Sequence, residues 1–188
     1  MRITEKAHEL IRQVVGPGDT VVDATLGNGY DTAFLADLVG RKGTVYGFDI
    51  QAKAIENARQ RLSDEAAGGA PATIELLLCG HQRMAEIVDG PVRVVMFNLG
   101  FMPGGNKSVI TKPESTVAAL EAALELLAPG GIATVVIYTG HEGGAEEKEA
   151  VLACCAELPT EEFTAAMYES EEQAKKPPIL VVVEKSGG

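Results

Sequence analysis

Thr20-Val21-Val22-Asp23-Ala24-Thr25-Leu26-Gly27-Asn28-Gly29-Tyr30-Asp31-Thr32 opens as a β-branched apolar run and ends as a glycine turn leading into polar residues suited to begin a helix. Thr20 to Ala24 reads as a strand, followed by a helix from about Asp31 to Val39. Gly27 and Gly29 let the backbone between them turn tightly and approach a ligand with no Cβ in the way. A strand feeding directly into a helix is half of a parallel β-α-β unit.

The unit repeats along the chain. Before it, an opening helix begun by Thr4 and ended near Gly16-Pro17-Gly18 presents Ala7, Leu10, Ile11 and Val14 at three- and four-residue spacing. After it come a strand from Thr44 to Asp49 and a helix from about Ala52 to Leu62, closed by Gly68-Gly69-Ala70-Pro71. A strand from Thr73 to Leu78 precedes a short helix after His81, and Val92 to Asn98 forms the next strand. A longer loop leads to a helix with Pro113 in its first turn and Ala118, Leu120, Ala122, Ala123, Leu124 and Leu127 as its packing surface. Pro129-Gly130-Gly131 ends it, Ile132 to Tyr138 is a strand, and a helix from about Ala145 to Leu158 follows Gly143-Gly144. Glu162 to Tyr168 and Ile179 to Glu184 then read as strands with no helix between them, so they pair antiparallel. The expected fold is α/β: a doubly wound, mostly parallel sheet of seven strands with an antiparallel terminal hairpin, residues 1–188 forming one domain.

Composition narrows the function. With a formal charge of −11 over 188 residues, the chain is not a nonspecific coat for nucleic acid, which requires clustered Lys and Arg. No apolar run approaches the roughly 20 residues that span a bilayer, and no export signal is visible, which gives a cytoplasmic expectation without membrane contact. Cys79, Cys154 and Cys155 lack zinc-site spacing and are read as buried reduced thiols, so no metal is expected.

In an open parallel sheet, ligands bind beyond the carboxyl ends of the strands, where strand order reverses. Around the first strand end, Asp23, Thr25, Gly27, Asn28, Gly29, Asp31 and Thr32 are candidate cofactor residues. Asp49 ends the second strand, with Gln51 just beyond, at the distance where a carboxylate receives the hydroxyls of a ribose. A dinucleotide or S-adenosylmethionine would satisfy it equally. The third glycine of a G-x-G-x-x-G is missing, which weakens a nicotinamide or flavin reading. Gly80 and His81 end the third strand, where an adenine ring would lie, although His81 alone reads as a helix-capping or exposed residue.

Asn98-Leu99-Gly100-Phe101 ends the fourth strand. It resembles, with both prolines replaced, the Asn/Asp-Pro-Pro-Tyr/Phe turn of methyltransferases that alkylate nitrogen. Methyl transfer from a sulfonium needs a neutral amine whose lone pair is aimed at the methyl group. The Asn98 side-chain oxygen and the Leu99 carbonyl can accept its N–H bonds, and Phe101 can stack on a planar base.

Three segments together resemble the small bacterial family labelled putative rRNA methylase: Asp23 to Thr32, Phe97-Asn98-Leu99-Gly100-Phe101-Met102-Pro103-Gly104-Gly105-Asn106-Lys107, and Tyr138-Thr139-Gly140-His141-Glu142-Gly143-Gly144. The likeness covers essentially the full length. It implies the class I, Rossmann-like methyltransferase fold, S-adenosylmethionine as cofactor, and methylation of 5-aminomethyl-(2-thio)uridine at tRNA wobble position 34 to 5-methylaminomethyl-(2-thio)uridine. The family pattern has Tyr at Phe101 and commonly Asp at Asn106. Losing the Tyr hydroxyl keeps the stacking face. His141 becomes a candidate to accept or relay the amine proton, beside the plainer reading of a helix start. The Gly104-Gly105 loop is a candidate lid.

The implied partner is the tRNA anticodon loop, and a homodimer stays open. Lys53, Arg83, Lys107, Lys112, Lys148, Lys175 and Lys176 follow strand carboxyl ends or sit in the terminal hairpin. Of these, Lys107, Lys112, Lys175 and Lys176 are the candidate RNA contacts, enough to place a single-stranded loop on an otherwise acidic surface. Competing readings are a small-molecule amine methyltransferase, a nicotinamide-dependent oxidoreductase and a catalytically silent S-adenosylmethionine binder.

Overall fold

The structure, a computed structural model, describes residues 1–65, 72–102, 104, 109–170 and 176–187. In chain order its elements are α1 (Ile3–Val14), β1 (Thr20–Asp23), α2 (Tyr30–Val39), β2 (Thr44–Asp49), α3 (Ala52–Glu65), β3 (Thr73–Leu78), α4 (Met84–Ile87), β4 (Val92–Asn98), α5 (Pro113–Leu126), β5 (Leu127–Ile137), α6 (Gly144–Ala156), β6 (Phe163–Glu169) and β7 (Ile179–Lys185). The sheet runs β3-β2-β1-β4-β5-β7-β6. β1 to β5 are parallel, and β7 pairs antiparallel with both β5 and β6. The expected doubly wound sheet with its closing hairpin is therefore present.

Side chains alternate across the sheet, as a pleated strand requires. Val21, Val94 and Met96 face α1 and α2 on one side, packing with Ile3, Ala7, Ile11, Leu35 and Val39. Val22, Val95 and Phe97 face α4, α5 and α6 on the other, against Met84, Leu120, Ala123 and Val151. Consecutive strands β1 to β3 wind outward in one direction and β4 onward in the other. The reversal falls between β1 and β4, and it sets the carboxyl ends of these two strands side by side.

Four local expectations are corrected. α1 begins at Ile3, because the Glu5 carboxylate turns back to accept the Arg2 backbone N–H at 2.9 Å; Thr4 is inside the first turn and is not the cap. On α5 the buried stripe is Thr116, Ala119, Leu120, Ala122, Ala123 and Leu124, while Ala118 is exposed on the far side. β5 starts at Leu127, with its pairing to β4 jumping from Val92–Leu127 to Val94–Ile132, so Pro129-Gly130-Gly131 is a bulge within the strand rather than a loop before it. The three cysteines are free but only partly buried. Gly68-Gly69-Ala70-Pro71 lies outside the described residues. Among those described, no helix is long and apolar enough to cross a membrane.

Candidate active site

The turn after β1 is built by backbone bonds on both flanks: Ala24 N–H donates to Met96 O at 2.8 Å and Leu26 N–H to Phe48 O at 2.9 Å. Gly29, at φ +79°, starts α2 in the left-handed region, and a Cβ there would lie 2.8 Å from Ala58 Cβ on α3. α3 closes over the turn from outside. Asn57 Nδ2 donates to Asn28 Oδ1 at 2.8 Å and Arg61 Nε to the Asn28 carbonyl at 2.9 Å, while the Arg61 guanidinium lies 3.4 Å over the Tyr30 ring.

Three carboxylates surround this turn in different states. Asp49 accepts Gly27 N–H on one oxygen at 3.0 Å and Gln51 N–H on the other at 2.9 Å. Each oxygen keeps a lone pair for a further donor. Asp23 is fully buried beneath the turn and takes Thr32 Oγ1–H at 2.6 Å and Thr25 N–H at 3.1 Å. Burial, reinforced by Asp31, pushes Asp23 up to about 7 against the pull of those two bonds. Asp23 and Thr32 thus support the turn from behind, while Thr25, Gly27, Asn28, Asp31, Asp49, Gln51, Gly80 and His81 reach the cavity in front of it.

Contrary to the exposed reading, His81 is buried, its Nδ1 donating to the Ala24 carbonyl at 3.0 Å and its ring set edge-on to Phe97. Burial lowers its pKa, leaving a neutral imidazole as part of the cavity floor.

The second turn follows β4. Asn98 N–H donates to Thr25 Oγ1 at 2.7 Å, and Asn98 Nδ2 to Asp31 Oδ2 at 3.4 Å, so the Asn98 amide oxygen is left as an acceptor. Leu99 N–H is held by Val136 O at 2.9 Å. Gly100 sits at φ +131°, a backbone conformation that favours glycine, and a Cβ there would be in ordinary contact with His141 Nε2 at 3.5 Å. His141 Nδ1 lies 2.8 Å from the Glu142 carbonyl. A carbonyl only accepts, so Nδ1 bears the proton and Nε2 carries a lone pair, buried and unpartnered among the described residues. Phe101 stands edge-on to the His141 ring at 6.4 Å and is partly exposed.

One cavity of about 1240 Å³ joins the two turns. Asn98, Leu99, Phe101 and His141 all line it. Of the seven basic candidates, Lys112 and Lys176 line its mouth. Lys53 and Arg83 are paired with Glu56 and Glu86 three residues on, and neither lines the cavity. Lys107 and Lys175, like Gly105 of the candidate Gly104-Gly105 lid, lie outside the described residues.

Two groups escaped the sequence reading. Arg2, Thr4 and His8 of α1 reach the cavity, His8 stacking on Phe34 at 3.8 Å and placing Nε2 2.8 Å from Asp31 Oδ1. Glu147 of α6 is fully buried and binds Thr111 and Thr116. A signal for it existed: Glu147 lies four residues before the buried Val151, on the same helical stripe.

A seven-stranded sheet closed by an antiparallel hairpin, with a glycine turn after β1 and an Asn-led turn after β4 opening on one cavity, defines the class I methyltransferase architecture. Residues 45–184 match the model of the family described as "Putative rRNA methylase", and the chain belongs to that S-adenosylmethionine-dependent family. A second model, for protein-L-isoaspartate(D-aspartate) O-methyltransferase, matches residues 2–80, the part that carries the glycine turn. Among solved structures, the chain is similar to an rRNA methylase homologue from Clostridium thermocellum (48% identity, TM-score 0.92, 98% of each chain). It is also similar to a methyltransferase from Streptococcus mutans in complex with S-adenosylhomocysteine (36% identity, TM-score 0.86, 98% of each chain). A chloroplastic tRNA (mnm5s2U34)-methyltransferase of Arabidopsis thaliana is 42% identical over 175 residues, which are 89% of this chain and 64% of that relative's length.

Proposed function

We propose that the protein transfers a methyl group from S-adenosylmethionine to a primary amine on RNA, the 5-aminomethyl group of uridine, 2-thiolated or not, at tRNA position 34. One observation carries the reading: Asn98, the Leu99 peptide and the unpartnered His141 Nε2 share a cavity with the glycine turn and Asp49. The name of the Arabidopsis relative supports the choice of nucleoside.

The residues present fit the cofactor. A Cβ built on Gly27 would stand in ordinary contact with Met102 Cγ and the Thr25 carbonyl, both at 3.8 Å, without a clash, and Gly27 lines the cavity. Asp49 has lone pairs for a ribose diol, and the acidic surroundings from Asp31 and Asp49 suit a cationic ligand. When bound, S-adenosylmethionine supplies an electrophilic methyl on sulfur. Asn98 Oδ1 and the Leu99 carbonyl accept the amine's N–H bonds and aim its lone pair. Methyl transfer to that lone pair would leave the amine nitrogen with one proton too many. His141 Nε2 takes the surplus proton. Phe101 and the partly exposed Tyr138 offer faces to a splayed-out base, and Lys112 and Lys176 reach the phosphates beside it.

The test is nucleoside mass spectrometry of tRNA bearing aminomethyluridine after incubation with the protein and isotopically labelled S-adenosylmethionine. The expected result is a labelled CH2 increment on that nucleoside. Methylation of free amines with none on the tRNA overturns the RNA assignment and supports a small-molecule enzyme.

A further inference from the structure

Glu147 is a buried carboxylate with no cation partner among the described residues, and its bonds run in one direction. Gly100 N–H donates to Thr111 Oγ1 at 3.0 Å. An amide can only donate, so the Thr111 oxygen is the acceptor there and its own hydrogen is left for Glu147 Oε2, 2.8 Å away. Thr116 Oγ1 donates to the other oxygen at 2.6 Å. Thr111 N–H also donates to the Gly100 carbonyl at 3.0 Å, and Phe101 bridges to Ile110, so the two stretches are bound on both sides.

Two helix starts meet at this carboxyl group. Glu147 lies in the first turn of α6 and Thr116 in the first turn of α5, so the positive ends of both helix dipoles converge on the carboxylate. Such an arrangement keeps a buried anion without a cation, and it is far more than a loop needs merely to be pinned. A hydroxyl accepting from Gly100 and donating to any neutral carbonyl would serve that purpose.

We infer that Glu147, acting through Thr111, is a positioning residue that orients and polarises the Leu99–Gly100 peptide so that the Leu99 carbonyl serves as acceptor for the substrate amine. The inference rests on the amine-methylation reading above. In a planar trans peptide the N–H of Gly100 and the C=O of Leu99 point in opposite directions. Tying the N–H back toward Glu147 turns the Leu99 oxygen the other way, and Leu99 lines the cavity. A chain of hydrogen bonds ending on a carboxylate also polarises each member, so electron density is pushed onto that oxygen. The acceptor turn contains no charged residue of its own, yet it gains the influence of a carboxylate shielded from solvent and substrate.

Thr111→Val removes the acceptor for Gly100 N–H, Thr111→Ser restores it, and Glu147→Gln keeps the volume but removes the charge. With tRNA bearing aminomethyluridine, Thr111→Val and Glu147→Gln should lower kcat by about tenfold to a hundredfold. KM for tRNA and S-adenosylmethionine affinity by calorimetry should stay within a few-fold, and Thr111→Ser should recover most of the rate. Hydrogen exchange at the Gly100 amide should be faster in Thr111→Val than in the wild type. An unchanged kcat in Thr111→Val, or a loss that tracks cofactor affinity and melting temperature, overturns the proposal. Should the wild-type protein methylate only free amines, the substrate reading fails and the same kcat comparison is run on the amine accepted. Should it methylate none, unchanged Gly100 exchange in Thr111→Val still overturns the clamp.

Discussion

Thr25 Oγ1 accepts the backbone N–H of Asn98 at 2.7 Å across 73 residues of sequence. A side chain of the turn after β1 thus holds the main chain at the start of the turn after β4. Thr25→Val leaves that partly buried N–H without a partner and should destabilise the fold by about 1–3 kcal/mol in urea unfolding. Thr25→Ser should recover the loss, whereas equal losses in both would mean that the methyl group, not the hydroxyl, matters.

Asp31 divides its carboxylate between His8 and Asn98. Asp31→Ala should free the Asn98 amide and slow methyl transfer by on the order of tenfold. His8→Phe keeps the stack on Phe34 and loses only the bond to Asp31, so its initial rate should fall less. A larger loss for His8→Phe would place His8 in direct contact with a ligand.

Asp23 gives the protein a pH dependence of defined sign. Its folded-state value near 7 lies above the ordinary 3.8 because burial disfavours the charge. Between those values the folded protein keeps a proton that the unfolded chain releases, so the contribution is full below about 4 and is lost as pH rises through about 7. Asp23→Asn should flatten this slope: its melting temperature relative to wild type should be higher at pH 8 than at pH 5. A parallel pair of melting curves against pH would show that Asp23 is ionised throughout.

The two glycines of the first turn should fail differently. Gly29→Ala meets Ala58 Cβ at 2.8 Å at a left-handed backbone, and should cost about 2–4 kcal/mol of stability. Gly27→Ala, at φ +49° with Met102 Cγ and the Thr25 carbonyl in ordinary contact at 3.8 Å, incurs backbone strain without a clash in the free protein. Its methyl group faces the proposed cofactor position, so S-adenosylmethionine affinity by calorimetry should fall more than the melting temperature suggests.

Lys112 and Lys176 carry the RNA reading. Substituting either by Ala should weaken tRNA binding uniformly and reduce the slope of log affinity against log salt by about 0.7 for each phosphate left without its cation. An unchanged slope in both variants would remove them from the interface.

Much of this was legible in the chain itself. The β1 turn, Asp49 and the Asn98 segment could be placed because strand ends in a parallel sheet converge, and the closing hairpin was visible as two apolar runs with no helix between them. What stayed hidden needed tertiary distances. His8 lies next to Ala7 on an amphipathic helix, and nothing local says that this helix packs across β4, β5 and β7 with its first turns at the cavity. His81 reads as polar and near a helix start, whereas burial depends on the Ala24 carbonyl far upstream. Lys53 and Arg83 follow strand ends as Lys112 does, yet they stand off the cavity lining, each reaching an acid three residues on, which strand topology alone does not reveal.

β7 lies between β5 and β6, so the later strand of the hairpin is not at the border of the sheet. As the chain leaves the ribosome, β6 emerges first and has nowhere to attach until its successor arrives, and the free edge of β5 waits with it. A message truncated before Ile179 therefore forfeits two strands instead of one and leaves uncovered the strand that leads to His141. The proposed methyl-transfer site is in that sense complete only once translation has passed residue 185.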